Sequence, residues 1–148
     1  MNPSTFCLTS GGGFFLLGLF GGAWKYLCIR RSPEARSPLY VDLAHRSALL
    51  YAFAGVLLSR LCERSAWPDG VNLTAAIVLE LFFASSVVSY IFHAAVGDTD
   101  NQFRQPHRMG STTVPAFAMT SFMVALIGAE VSAFLVVFSG YLVEAARG

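Results

Sequence analysis

The chain has 148 residues, 55% of them hydrophobic and only 13% charged, with a mean hydropathy of +0.57 and a formal net charge of +1. A soluble domain carries about 25% charged residues; here the charges collect in short clusters between long apolar runs, as in chains that live in lipid. The balanced charge excludes a nucleic-acid footprint. Cys7, Cys28 and Cys62 form no CxxC pair and point to neither a disulfide framework nor a zinc knuckle.

Four apolar helices are predicted, at about 11–28, 41–62, 71–95 and 113–145. The first follows an N-terminus with no basic stretch and no small-residue cleavage site, so it reads as a retained helix, not a signal peptide. Its Gly11, Gly18 and Gly22 share one stripe that admits close approach of another backbone, or of a flat cofactor. Ser37-Pro38 breaks the chain before the second helix, Pro68 and Asn72 are start signals for the third, and Pro115 fits the first turn of the fourth. Each run reaches the roughly 20 residues needed to cross a bilayer, or comes close to it. Short links predict a single all-α domain, an integral membrane four-helix bundle with up-down-up-down threading.

Lys25, Arg30, Arg31, Arg36 and Arg46 border the first link, and Arg104 and Arg108 lie in the third. Positive residues mark the cytoplasmic side, so both termini are expected outside the cytoplasm, with a bacterial inner membrane as the expected location. Asn72-Leu73-Thr74 matches a glycosylation sequon, but its place at a helix start makes it a chance match.

Antiparallel threading gathers His45, His93 and His107, with Asp42, Arg46 and the polar run from Gly97 to His107, at the cytoplasmic end. Imidazole is the commonest metal ligand, so His45 is a candidate ligand, with His93 and His107 as alternatives. A membrane interface also collects polar residues without any site. Farther along the bundle lie Glu80, Arg60 and Glu130, at similar depth by a rise of about 1.5 Å per residue. Charges in lipid need partners, so Arg60 is expected to pair with Glu80, Glu130 or both. Ser85, Ser86, Ser89 and Tyr90 continue a polar strip toward His93. Aromatics including Tyr51, Phe53 and Phe83 are candidate walls for a planar apolar guest. No P-loop, GxSxG, HExxH or GxGxxG occurs, which leaves chemistry on a small apolar molecule dissolved in the membrane.

Over roughly residues 39–142 the chain resembles the small four-helix membrane isomerases, styrene oxide isomerase and hydroxylaminobenzene mutase. The resemblance rests on Leu43-Ala44-His45, on Val78-Leu79-Glu80, and on a polar third link followed by Pro115-Ala116-Phe117-Ala118-Met119. It implies a trimer that holds haem b through one histidine near the subunit interface, with ferric iron as a Lewis acid that turns an epoxide into a carbonyl compound. Carried over, His45 would be the axial ligand and Glu80 would take the place of an aspartate near the pocket; Tyr51 and Tyr90 join Glu80 as candidate catalytic residues, with His93, Phe53 and Phe83 beside the cofactor. The departures are Tyr51 where the isomerase has asparagine, and Phe82 and Ala84 where it has tryptophan and asparagine. Two readings of other classes stand beside it: a non-catalytic membrane subunit whose His/Asp layer docks a partner or a metal, and a b-type cytochrome ligated by His45 and His93.

Overall fold

A computed structural model describes residues 1–147 of the protein. Its helices are α1 (Pro3–Arg31), α2 (Leu39–Glu63), α3 (Asp69–Val96) and α4 (Ala116–Ala145), with an antiparallel ribbon of β1 (His107–Met109) and β2 (Thr112–Val114) before the last. All four helices, of 25 to 30 residues, are long and apolar enough to cross a membrane. Leu50, Phe53, Leu81 and Phe117 are each at least 64% exposed. Apolar surface on that scale belongs against lipid or another chain and supports an integral membrane protein.

The helix ends differ from the sequence expectation for local reasons. α1 begins eight residues early because the Asn2 side chain accepts from the backbone N–H groups of Ser4 and Thr5, with Pro3 in the first turn. α2 and α3 start directly after Pro38 and Pro68, and Asn72 lies inside α3, buried, donating from Nδ2 to the Trp67 carbonyl at 3.0 Å. α4 starts three residues late because Thr112–Val114 is taken into the ribbon, which leaves Pro115 as the cap. Gly110, at φ 63°, opens the two-residue turn of that ribbon.

α1 and α2 touch in reversed order: the Ser4 and Ser59 hydroxyls meet at 2.8 Å, Gly11 faces Gly55, Gly18 faces Leu49 and Lys25 pairs with Asp42. Small residues set their spacing. A Cβ on Gly55 would stand 2.8 Å from the Cys7 carbonyl oxygen and 2.9 Å from the Gly11 Cα. The glycines of α1 thus bring backbone against backbone, the device by which lipid-embedded helices gain dispersion contact. Tyr51 stacks on Phe83 of α3 with centroids 4.2 Å apart. Cys7 and Cys62 are buried in the cluster with Leu58, Ala76 and Val137, and Cys28 is half-buried. At that end the link between α2 and α3 is tied to α4: Trp67 Nε1 donates to the Val136 carbonyl at 3.1 Å, and the Ala66 N–H to that of Gly140 at 3.0 Å.

Candidate functional site

His45 lies two turns into α2, on the face turned to α1. Its Nδ1 is 2.8 Å from the Gly18 carbonyl oxygen. A carbonyl only accepts, so Nδ1 carries the proton and Nε2 of the neutral ring keeps its lone pair. The ring has room because α1 carries Gly22 there, where a Cβ would meet the His45 Cε1 at 3.0 Å; a Cβ on Gly21 would meet the His45 Cα at 3.1 Å, so that glycine lets the backbones approach. Lys25, Asp42 and Arg46 form an ion-pair cluster on the same two helices, one turn nearer the first link.

His93 is held differently. α3 ends at Gly97, whose left-handed backbone (φ 65°) turns the chain back. Asp98 thereby reaches the last helical turn, and its Oδ1 accepts from His93 Nδ1 at 2.7 Å while its Oδ2 accepts the Gly110 N–H of the ribbon turn. The pair is buried, with side chains 3% and 5% exposed. Burial pushes the Asp98 carboxyl up, but the His93 and Gly110 donors outweigh it and hold the group below the usual aspartate range. Tyr40 covers one side of the His93 ring at 5.0 Å between centroids. A cavity of about 430 Å³ opens beside His93 between α3, α4 and the ribbon, walled mainly by Phe92, Met109, Met119, Phe122 and Met123.

Gln102 ties the third link to the bundle. Its N–H donates to the Tyr40 hydroxyl, its side-chain oxygen accepts from Ser89 at 3.2 Å, and its carbonyl accepts from His107 Nδ1 at 3.1 Å. His107 is buried by this contact in β1, at the ribbon's base. Tyr40 thus connects His93 and His107 at one end of the bundle. His45 sits five residues along α2 from Tyr40, roughly 7.5 Å of helix rise, and turns to α1 instead. Among the described residues the His45 and His93 rings share no hydrogen-bond or aromatic partner.

The remaining candidates scatter. Tyr90 stacks over Tyr40 at 6.1 Å, and Phe83 is engaged with Tyr51 inside the bundle. Phe53 is 67% exposed on the outer surface, edge-on to Phe15, so it and Phe83 do not flank a common space within one chain. The polar strip of α3 divides, with Ser85 and Ser89 lining the His93 cavity and Tyr90 turned to α2. The expected pairing of Arg60 is corrected: it lies on the outside of α2 and bonds Glu63 of its own helix at 2.8 Å. Arg60 is near the helix end, where its long stem reaches polar surroundings without turning inward. Glu80 is left buried, both carboxyl oxygens without a hydrogen-bond partner among the described residues, as is Oε1 of Glu130.

Asp98, Arg108 and the methionines of the cavity were not among the site residues expected from sequence, although Asp98 lies in the polar run already noted, Arg108 served only to orient the bundle and Met119 only to mark the resemblance. The signal for Asp98 was its place directly after a helix-ending glycine, five residues beyond His93. For the ribbon it was Gly110-Ser111 ahead of the β-branched Thr112-Thr113-Val114. Among the described residues no three His, Cys, Asp or Glu side chains cluster as a ligand set for a metal ion. A haem asks less of the protein, because its porphyrin supplies four of the iron's ligands and one oriented imidazole can hold it; His45, with its fixed Nδ1 and free Nε2, meets that requirement. Compared with protein-family models, with curated proteins and with solved structures, the chain finds no match.

Proposed function

We propose that this chain is the subunit of a membrane isomerase that rearranges a small apolar epoxide, or a similar strained substrate, to a carbonyl compound with haem b held by His45. The bundle would thread up-down-up-down through a bacterial inner membrane with both termini on the non-cytoplasmic side, and assemble as a homo-oligomer, a trimer by resemblance. The observation that carries the reading is the seat of His45: Nδ1 committed to the Gly18 carbonyl, and Gly22 leaving space for the ring. A ligand histidine is oriented in this way by a hydrogen bond from its second nitrogen.

The space beside this seat within one chain is small. A groove that shares Gly21 with the seat but is not lined by His45, walled by Trp24, Ala44, Val87 and Ile91, holds about 260 Å³, under the roughly 300–1,000 Å³ of pockets that take drug-sized ligands. In the proposed oligomer, surface from another copy would complete the porphyrin's site beside His45. When bound, ferric iron supplies a Lewis acid for the epoxide oxygen. The protein's own part is to fix the imidazole, to keep water away with the apolar faces of α1 and α2, and to offer groups that steady the rearranging substrate. Tyr51, Tyr90 and Glu80 are the sequence candidates for that last task; within one chain they stand apart from the His45 seat, Tyr51 on Phe83, Tyr90 over Tyr40 and Glu80 in the core.

The test is product analysis with purified protein and a small aryl epoxide, without added redox cofactor. The corresponding aldehyde is expected from the wild type, with a loss of at least about 100-fold in His45→Ala, since removing a group essential to the chemistry costs on that order or more. Equal turnover by the two proteins would remove His45 from the reaction. The cytochrome reading gains no observation here, because the two candidate ligands have separate surroundings.

A further inference from the structure

The cavity between α3, α4 and the ribbon is independent of the His45 seat and has a chemistry of its own. Its walls are thioethers and aromatic rings: Met109, Met119, Met123, Phe92 and Phe122. Such walls adapt to flat or irregular apolar guests. Its volume of about 430 Å³ falls in the range of sites that take small organic ligands, about 300–1,000 Å³. Polar groups are few, with Ser89 already donating to Gln102.

Three polar groups remain open among the described residues, one of them the Gln102 side-chain amide nitrogen, since only the oxygen of that amide is engaged. His93 lines the cavity, its Nδ1 is spent on Asp98, and Nε2 has no partner among the described residues. Arg108 lines it too, from β1, and forms no ion pair among the described residues. The acidic groups of the same link are already engaged: Asp100 with Arg104 at 3.1 Å, and Asp98 with His93 and Gly110. Arg108 is thus a cation without a counter-charge at the edge of an apolar cavity. A guanidinium matches the two oxygens of a carboxylate geometrically as well as electrically.

We infer that this cavity binds a small apolar carboxylic acid, its hydrocarbon or aryl body against the methionines and phenylalanines and its carboxylate on Arg108. The ribbon roofs the site, so binding also steadies the third link.

The experiment uses the full chain in phosphatidylcholine nanodiscs and equilibrium dialysis of labelled 4-phenylbutyrate, with empty discs as the partition blank. Its neutral amide is the matched control. Saturable binding of the acid is expected, at least 10-fold tighter than the amide, with Arg108→Gln weakening the acid at least 10-fold and leaving the amide unchanged. Met119→Trp, which fills the cavity, abolishes acid binding; Ala118→Phe replaces it if the tryptophan variant does not run as a monodisperse species. No binding above empty discs, equal affinity for acid and amide, or an Arg108→Gln protein that binds as the wild type each overturns the inference. Discs containing phosphatidylglycerol in which acid binding is lost would assign the site to a lipid headgroup, and overturn it as well.

Discussion

Gly55→Ala is expected to lower the melting temperature of the detergent-solubilised protein by roughly 2–12 °C, although it adds one methyl group and improves helix propensity. The added Cβ would stand 2.8 Å from the Cys7 carbonyl oxygen, 2.9 Å from the Gly11 Cα and 3.1 Å from the Gly11 nitrogen. All three are backbone atoms of α1, so no side chain can swing away and the helices themselves must separate. Overpacking costs about 1–3 kcal/mol, and for a chain near 150 residues each kcal/mol is worth about 2–4 °C. Separation would also draw α1 away from His45, because the same interface seats that ring. Gly12→Ala and Gly13→Ala are the controls. Neither added Cβ has a neighbour within 4 Å, so each should be neutral or stabilising by up to about 1 kcal/mol, the helix-propensity difference between the residues. Equal melting temperatures for Gly55→Ala and Gly12→Ala would refute the close backbone packing of α1 on α2.

Asp98→Ala is expected to cost about 3–5 kcal/mol, as breaking one side of a buried polar pair does. It strips His93 of its Nδ1 partner and the Gly110 N–H of its acceptor, and so loosens α3 from the ribbon. Protease cleavage within residues 99–114 should rise with it, because Asp98 is the link between the helix and the turn. The pair also sets an acid limit. The folded carboxyl titrates below its unfolded value of about 3.9, so its contribution is complete above that value and is lost as pH falls through the lower, folded one. In Asp98→Asn this acid-side loss should vanish, with a lower but flatter stability between pH 5 and pH 3. An Asn variant with the same acid slope as the wild type would place the titrating group elsewhere.

The helices were legible because their signal is long and redundant: each carries an 18-residue window of mean hydropathy 1.3 or more. Their ends were less so, since each end depends on one or two residues. Asn2 as a cap lies among serines and threonines that read as polar tail, and Thr112–Val114 is apolar enough to pass as a first helical turn. The partners of charged residues were the least legible part. Sequence depth put Arg60 level with Glu80, but depth says nothing about azimuth, and Arg60 lies on the outward face of α2 beside Glu63. The His93–Asp98 contact depends on the left-handed turn at Gly97, a single backbone state that periodicity does not report. The glycine stripe of α1 was visible from its spacing, whereas its second use, as the seat of His45, required the partner helix.

The visible absorption spectrum of the protein, purified in mild detergent from cells supplied with a haem precursor, tests the central claim most directly. A Soret band is predicted for the wild type and for His93→Ala. It should be absent from His45→Ala and weakened in Gly22→Val, where the new side chain occupies the place of the imidazole. A colourless wild-type protein, or a His45→Ala protein with an unchanged Soret band, would contradict the assignment of haem to His45.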